Sequence, residues 1–89
     1  MEELNDNEFD LLDELYFVQS YQELREALSW TEELLNTVLK SLLQKAYIKF
    51  LEDHDTEIDT KQALQLPSSA YPELLFLATK QGLMIHNGF

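Results

Sequence analysis

The sequence has no cysteine, only two glycines and two prolines, and six Lys and Arg residues against seventeen Asp and Glu residues. Without cysteine there is no disulfide framework, no Cys-ligated zinc site and no thiol nucleophile. A formal net charge of -11 argues against binding to nucleic acid or to an anionic membrane. No apolar run approaches the roughly 18 residues of a membrane span. These absences favour a small acidic protein that needs no cofactor.

What the sequence does contain is apolar residues, which make up 45% of its 89 residues. This share is too high for a disordered acidic tail. The length predicts one domain, residues 1–89, whose core must be compact because a small domain removes only about 60–65% of its unfolded surface from water. The first six residues lack the positive region and apolar stretch of a signal peptide, so we expect a cytoplasmic protein.

The acidic residues are concentrated in two segments. Residues 1–33 hold eleven acids and one base, and residues 49–59 hold five acids and one base. Between them, residues 34–48 hold two bases and no acid. The middle of the chain is therefore mildly basic and is flanked by strongly acidic segments.

Capping residues predict the first two helices. Asn5 with Glu8 three residues later, and Ser20 with Glu23, both fit the capping box, in which each side chain binds the other residue's backbone N–H. The first helix is therefore expected to start at Asn5. The second should be the short helix Tyr21–Leu28.

A third, longer helix is predicted to start near Ser29 or Thr31 and to run to about Ala46. Its apolar residues cover about half of the helix surface: Leu34, Leu35, Val38, Leu39, Leu42, Leu43 and Ala46. This stripe is wider than a surface helix needs, so the helix either crosses the core or also meets a partner.

Beyond this helix, residues 47–51 are rich in aromatic and branched side chains and predict a strand. The acidic residues 52–59 favour a turn or a hairpin tip, and Pro67 and Pro72 interrupt regular structure. The path of residues 52–73 stays open. Residues 73–82 are either a helix begun at Pro72 and closed by Gly82, or a returning strand over residues 74–78 before a short helix capped by Thr79.

The order helix, short helix, tight turn, long helix, strand resembles the core of bacterial winged-helix transcriptional regulators, and the match in spacing is continuous over about residues 20–50. Leu24 and Arg25 fall on the family's Leu-Ala pair, and residues 29–31 fall on its Gly-Leu-Ser turn. Residues 46–48 fall on the junction between the third helix and the wing. The remaining matches are the core positions of the third helix, Leu35, Leu39 and Leu42.

Residues 78–83 also resemble the Leu-Thr-x-x-Gly that ends the wing in some of these regulators, which favours the returning strand. The resemblance implies a mainly α winged helix-turn-helix with a three-helix core, a small β-wing and a short C-terminal element. It also implies a dimer formed through the terminal segments, helix one and residues 74–89. The sequence departs from the family where Arg25 replaces a small residue, Ser29 the turn glycine and Trp30 the usual leucine.

In such a fold the third helix would present a polar face to DNA. We take this face as the candidate interaction face: Glu32, Glu33, Asn36, Thr37, Lys40 and Gln44. Asn36, Thr37 and Gln44 could read bases and Lys40 could touch one phosphate, but the two glutamates would meet phosphates. The predicted wing is acidic as well. Because non-specific DNA affinity comes from Lys and Arg contacts, the surface favours a protein partner.

A second candidate surface is apolar, since large apolar residues left exposed on a small domain usually mark an interface. We expect Trp30, Leu34, Leu43 and Phe76 to contribute to it.

Other kinds of site find little support. The alternating acids from Asp53 onward lack the Gly and Glu that a calcium loop needs at its sixth and twelfth positions, which are Ile58 and Leu64. Neither glycine lies in a phosphate-binding loop. We therefore expect no metal ion, no catalytic residue, no small-molecule substrate and no enzyme activity.

Three functions follow from the sequence. The first is a regulatory protein–protein interaction module related to transcriptional regulators, acting on a protein partner or as a homodimer. The second is a DNA-binding regulator acting as a dimer. The third is a nucleic-acid mimic that occupies a basic protein.

Overall fold

In a computed structural model, residues 4–88 are described, and the first three residues and Phe89, the end of the predicted dimer segment, lie outside this part. The described residues are mainly helical, with a small four-stranded antiparallel sheet. The helices are α1 Asp6–Glu14, α2 Tyr21–Leu28, α3 Glu32–Gln44, α4 Thr60–Gln65, α5 Lys80–His86 and a 3-10 helix, Ser68–Glu73. The strands are β1 Gln19–Ser20, β2 Ile48–Asp53, β3 Thr56–Glu57 and β4 Leu75–Ala78.

The strands lie in the order β1-β4-β2-β3, so the late strand β4 is inserted between β1 and β2. Phe50 of β2 is opposite Phe76 of β4, and their rings meet edge to face with centroids 4.9 Å apart. The predicted returning strand is therefore confirmed, and the alternative helix over residues 73–82 is wrong. Pairing with β1 on one side and β2 on the other holds residues 75–78 extended, and Thr79 caps α5 directly afterwards.

Both predicted capping boxes are present. The Glu8 N–H donates to Asn5 Oδ1 at 2.8 Å, and the Asn5 N–H donates to Glu8 Oε1 at 3.1 Å. Ser20 and Glu23 exchange the same two hydrogen bonds. The Ser20 contacts also hold the pKa of the exposed Glu23 carboxyl below its usual value. The local sequence thus sets the first residue of α1 and of α2.

The turn between α2 and α3 is made by Ser29 and Thr31. Thr31 caps α3, with its hydroxyl accepting from the Leu34 N–H at 3.2 Å. Ser29, the other predicted cap, instead ends α2 in a left-handed conformation with φ 56°. This conformation usually takes glycine, because a Cβ costs about 1–2 kcal/mol there.

At its C-terminus, α3 ends at Gln44, two residues before the predicted Ala46. Ala46 has φ 64°, and the Tyr47 N–H donates to the Leu42 carbonyl at 3.0 Å. The Ala46 N–H donates to the Leu43 carbonyl, also at 3.0 Å. These bonds form a Schellman motif, which stops the helix and sends the chain into β2.

The C-terminal helix α5 is fixed on this junction by two residues. The Thr79 hydroxyl donates to the Ala46 carbonyl at 2.8 Å and accepts from the Gly82 N–H at 3.0 Å. A Cβ at Gly82 would lie 2.0 Å from the Tyr47 carbonyl oxygen, so only glycine lets α5 approach this closely. Thr79 and Gly82 are therefore three residues apart because the first caps α5 and the second lets its first turn pack on the Tyr47 backbone.

A buried ion pair ties α1 to α3. The Glu8 carboxylate accepts from Lys45 Nζ at 2.8 and 2.9 Å and from the Ser41 hydroxyl at 2.8 Å. Burial by itself would raise the pKa of Glu8, but the hydrogen bonds from Lys45, Asn5 and Ser41 outweigh it, so the pKa lies below its usual value of 4.5. Glu8 is therefore held as a carboxylate inside the fold.

Residues 52–73 fold into three short elements. The turn or hairpin tip predicted for residues 52–59 is present over residues 52–57, which form the end of β2, the turn and β3. Asp59 instead caps α4, a helix that the sequence does not predict, and Pro72 lies inside the 3-10 helix. The Tyr71 ring packs edge to face on Phe50 at 5.1 Å, which anchors this segment to the core.

Buried side chains from the helices and the sheet form one hydrophobic core cluster. Within residues 4–88, no helix is long and apolar enough to cross a membrane.

Candidate interaction surfaces

The polar face of α3 is exposed along one stripe. Glu33, Thr37, Lys40 and Gln44 follow helical spacing, and each side chain is open to solvent. Glu32 is also exposed but lies 3.5 Å from Arg25 of α2. Lys40 is therefore the one base on a stripe whose first residue is an acid.

Asn36 belongs to the predicted face but is only half-exposed on it. Its Oδ1 accepts a hydrogen bond of 2.6 Å from the Tyr21 hydroxyl of α2. Burial, with Glu32 nearby, raises the pKa of Tyr21, so this hydroxyl keeps its proton and remains a donor. The Asn36 Oδ1 therefore joins α2 to α3, and the part of Asn36 in the candidate interaction face stays a prediction.

The segment before and within the 3-10 helix borders the polar face of α3. Residues 66–68 and Tyr71 form one wall of a groove of about 260 Å³, and Asn36, Thr37 and Lys40 form the other. The groove places this neighbouring segment directly beside the middle of the helix. The stripe is thus one side of a groove and not a helix face free on both flanks.

A larger groove, of about 550 Å³, lies at the turn between α2 and α3. Trp30 is half-buried there and packs against the core, and Pro72 closes the opposite side. Arg25, Glu26 and Glu32 contribute charges of both signs. This mixture favours no single class of ligand.

The β2–β3 hairpin carries the second concentration of acid. Lys49 pairs with Glu57 across the hairpin. The Asp55 N–H donates to Asp53 Oδ1 at 2.9 Å, and this bond lowers the pKa of Asp53. Because its lysine is already paired, the hairpin offers no base to a phosphate.

The predicted apolar interface is wrong for two of its four residues. Leu43 is 1% exposed and Phe76 is 0% exposed, so both belong to the core. Leu43 faces inward because α3 crosses the core, and Phe76 lies in the central strand β4 between two neighbours. Trp30 and Leu34 are half-buried and pack against the core cluster.

Among residues 4–88, the large apolar side chains that are exposed lie elsewhere, on α1, the loop after it and α5. They are Phe9, Tyr16, Phe17 and Met84. Phe17 is the most open of them, at 78% exposure. Phe9 and Met84 fall on helix one and residues 74–88, the two segments expected to make the dimer contact, and Tyr16 and Phe17 lie directly after helix one.

His86 of α5 joins the exposed aromatics of α1. Its ring stacks on Phe9 with centroids 4.1 Å apart and meets Tyr16 edge-on at 5.3 Å. The Tyr16 hydroxyl shares a hydrogen bond of 2.8 Å with His86 Nδ1. The other ring nitrogen, His86 Nε2, lies 3.5 Å from Asp13 Oδ1 and, within residues 4–88, has no hydrogen-bond partner. Phe9, Asp13, Tyr16 and His86 are thus one continuous surface.

Spacing alone does not identify this surface, because Phe9 and Tyr16 follow the same helical spacing as Leu12 and Leu15. In the structure, Phe9, Asp13 and Tyr16 are exposed, whereas Leu12 and Leu15 are buried. The one sequence signal is the helical spacing of positions 9, 13 and 16, which is offset around the helix from Leu11, Leu12 and Leu15.

Within the described residues, no three His, Asp or Glu side chains are grouped so as to hold a metal ion. Comparison of the chain with protein-family models, with curated proteins and with solved structures gave no match.

Proposed function

We propose that this chain is an acidic winged-helix domain that serves gene regulation or a macromolecular complex through protein contacts. The observation that carries the proposal is the charge and the accessibility of the polar face of α3. This face starts with Glu33, has Lys40 as its one base and borders the segment of residues 66–71. We further propose that the protein works in the cytoplasm.

The winged-helix part of the proposal is supported by the roles of the residues that carry the resemblance. Ser29 is left-handed at the turn between α2 and α3, where the family has glycine. Ala46 is left-handed at the junction of α3 and β2. Thr79 and Gly82 seat α5 on that junction. The antiparallel pair β2–β4 stands where the family has its wing strands, with residues 54–74 as an insertion between them.

The protein-contact part is supported by charge and by access. A helix that reads DNA enters a major groove about 12 Å wide, and its flanks must be clear. Here one flank of α3 is occupied by residues 66–71, and Asn36 is engaged by Tyr21. Phosphate contacts supply the non-specific part of DNA affinity, and the hairpin that would make them is acidic.

The proposal is tested by titrating labelled mixed-sequence duplex DNA with the protein at about 50 mM salt and measuring fluorescence anisotropy. We expect no saturable binding below about 100 µM, the weak end of the non-specific range. Lys40→Glu and its matched control Lys80→Glu, on α5, should behave alike. Sub-micromolar binding that falls steeply with salt and is lost in Lys40→Glu alone would overturn the proposal.

A further inference from the structure

The surface formed by α1, the loop after it and α5 carries both exposed aromatic side chains and exposed acidic side chains. Phe9, Tyr16 and Phe17 are exposed large apolar side chains. Asp10 and Asp13 are exposed on α1, which also carries Phe9, and Tyr16 and Phe17 follow in the loop after it. We call these five residues, with His86 between Phe9 and Tyr16, the aromatic-acidic face.

The exposed aromatic side chains of this face leave apolar surface in contact with water, which is unfavourable for the isolated protein. Covering that surface would gain about 25 cal/mol of free energy per Å² of apolar area buried. Phe17 is 78% exposed, in a loop whose neighbour Tyr16 is fixed by hydrogen bonds to His86 and Asn87. Phe17 therefore presents an almost fully exposed ring beside a hydrogen-bonded neighbour, and exposed aromatic side chains of this kind are common anchor residues at interfaces.

The acidic part of the face selects the occupant. A second copy of this chain would bring its own Asp10 and Asp13 into the same interface. Each pair of like charges at about 4 Å costs about 1 kcal/mol even in water, and the two chains would each bring a net charge of -11. Nucleic acid and anionic membranes are opposed for the same reason. A basic segment with an apolar stripe would cover the exposed aromatic side chains and place positive charge beside the two aspartates.

We propose that the aromatic-acidic face binds a basic amphipathic helix of another protein, an inference that rests on the proposed protein-contact function. The apolar stripe of that helix would cover Phe9 and Phe17, and its Lys or Arg residues would meet Asp10 and Asp13. This is the helix-on-apolar-surface mode of peptide recognition, with charge fixing the orientation.

The test uses isothermal titration calorimetry with a short amphipathic helical peptide made of Leu and Lys, at about 100 mM salt to limit long-range attraction. Two control peptides separate the contributions. One replaces Leu by Ser and keeps the charge, and the other replaces Lys by Glu and keeps the apolar stripe. We expect saturable binding of the Leu/Lys peptide and at least tenfold weaker binding of both controls.

Paired variants locate the binding site. Phe17→Ser should weaken binding at least tenfold, whereas Met84→Ser, an exposed apolar residue on α5, should change it less than twofold. Asp10→Lys should weaken binding more than Glu52→Lys, which makes the same change of charge in the β2–β3 hairpin. Because Phe17, Asp10 and Glu52 are exposed, circular dichroism should show an unchanged fold.

Equal losses for Asp10→Lys and Glu52→Lys would overturn the inference, because they would indicate attraction to the net charge alone. A concentration-dependent dimer abolished by Phe17→Ser would also overturn it and assign the face to a second copy. Peptide binding lost in Thr37→Ala but kept in Phe17→Ser would sink this surface while leaving a protein-contact function. Tight duplex binding through Lys40 would instead sink the proposed function itself.

Discussion

Gly82 of α5 lies so close to Tyr47 that a Cβ built on it would be 2.0 Å from the Tyr47 carbonyl oxygen. This contact, with the Thr79 hydroxyl on the Ala46 carbonyl, places α5 over the point where α3 turns into β2. The position of α5 in turn places His86 against Phe9 and Tyr16. The backbone contact at Gly82 therefore positions the aromatic-acidic face.

Gly82→Ala should destabilise the protein by about 2–3 kcal/mol, because the added methyl group meets backbone that cannot move without shifting α5. Chemical denaturation monitored by circular dichroism measures this loss. The neighbouring exposed change Gln81→Ala is the control and should alter stability by less than about 0.5 kcal/mol. Equal stability of the two variants would show that α5 does not rest on Tyr47.

Glu8→Gln should cost about 3 kcal/mol at pH 7, because it leaves Lys45 beside a neutral group in a mostly buried site. The pKa of Glu8 is lowered on folding, so its stabilising contribution is full above the usual value of 4.5 and is lost as pH falls through the lower folded pKa. The stability difference between wild type and Glu8→Gln should therefore shrink between pH 7 and pH 3.

Denaturant unfolding at both pH values measures that difference, and the exposed Glu52→Gln is the control for general charge effects. A double-mutant cycle with Lys45→Met should give a coupling energy above about 1 kcal/mol. A difference that stays constant with pH would mean that the Glu8 carboxylate does not stabilise the fold through its charge.

Ser29→Gly and Ala46→Gly should each stabilise the protein by about 0.5–1 kcal/mol. Both residues have left-handed backbone, with φ 56° and 64°, where glycine carries no Cβ penalty. Thermal denaturation measures the gain. Ala27→Gly, in the exposed middle of α2, is the matched control and should lose about 1 kcal/mol. Losses at all three positions would contradict the left-handed turns.

Tyr21→Phe and Asn36→Ala should be coupled by about 1 kcal/mol in a double-mutant cycle, since each removes one side of the same 2.6 Å hydrogen bond. Thr37→Ala, also on α3 but without this contact, is the control and should stay within about 0.5 kcal/mol of wild type. Additive losses of stability for the two variants would mean that Asn36 is not bound to Tyr21 and is free on the polar face of α3.

The parts of the fold that the sequence predicts are those encoded locally. Asn5, Ser20, Thr31 and Thr79 each cap a helix with their own side chain, so the helix starts can be read from a few adjacent residues. The strand of residues 47–51 is likewise indicated by its aromatic and branched residues. The returning strand before Thr79 is favoured over a helix only by the resemblance of residues 78–83 to the end of a wing.

The parts that the sequence does not predict depend on contacts between distant residues. Glu8 binds Lys45, which lies 37 positions further along the chain. Likewise, Ser20 of β1 pairs with Leu75 of β4, far along the sequence. The inward placement of Leu43 and Phe76 likewise depends on which elements cover α3 and β4. Helix α4 escaped prediction because its six residues carry little periodic signal beyond the Asp59 cap.

The most direct test of the proposed protein-contact function is an amide chemical-shift map of the isotope-labelled protein, titrated in turn with the Leu/Lys peptide and with duplex DNA at about 50 mM salt. We predict that the peptide shifts amides of α1, residues 16–17 and His86, and that DNA leaves the amides of α3 unchanged. DNA-induced shifts clustered at Thr37, Lys40 and Gln44, with no peptide effect on α1, would contradict it.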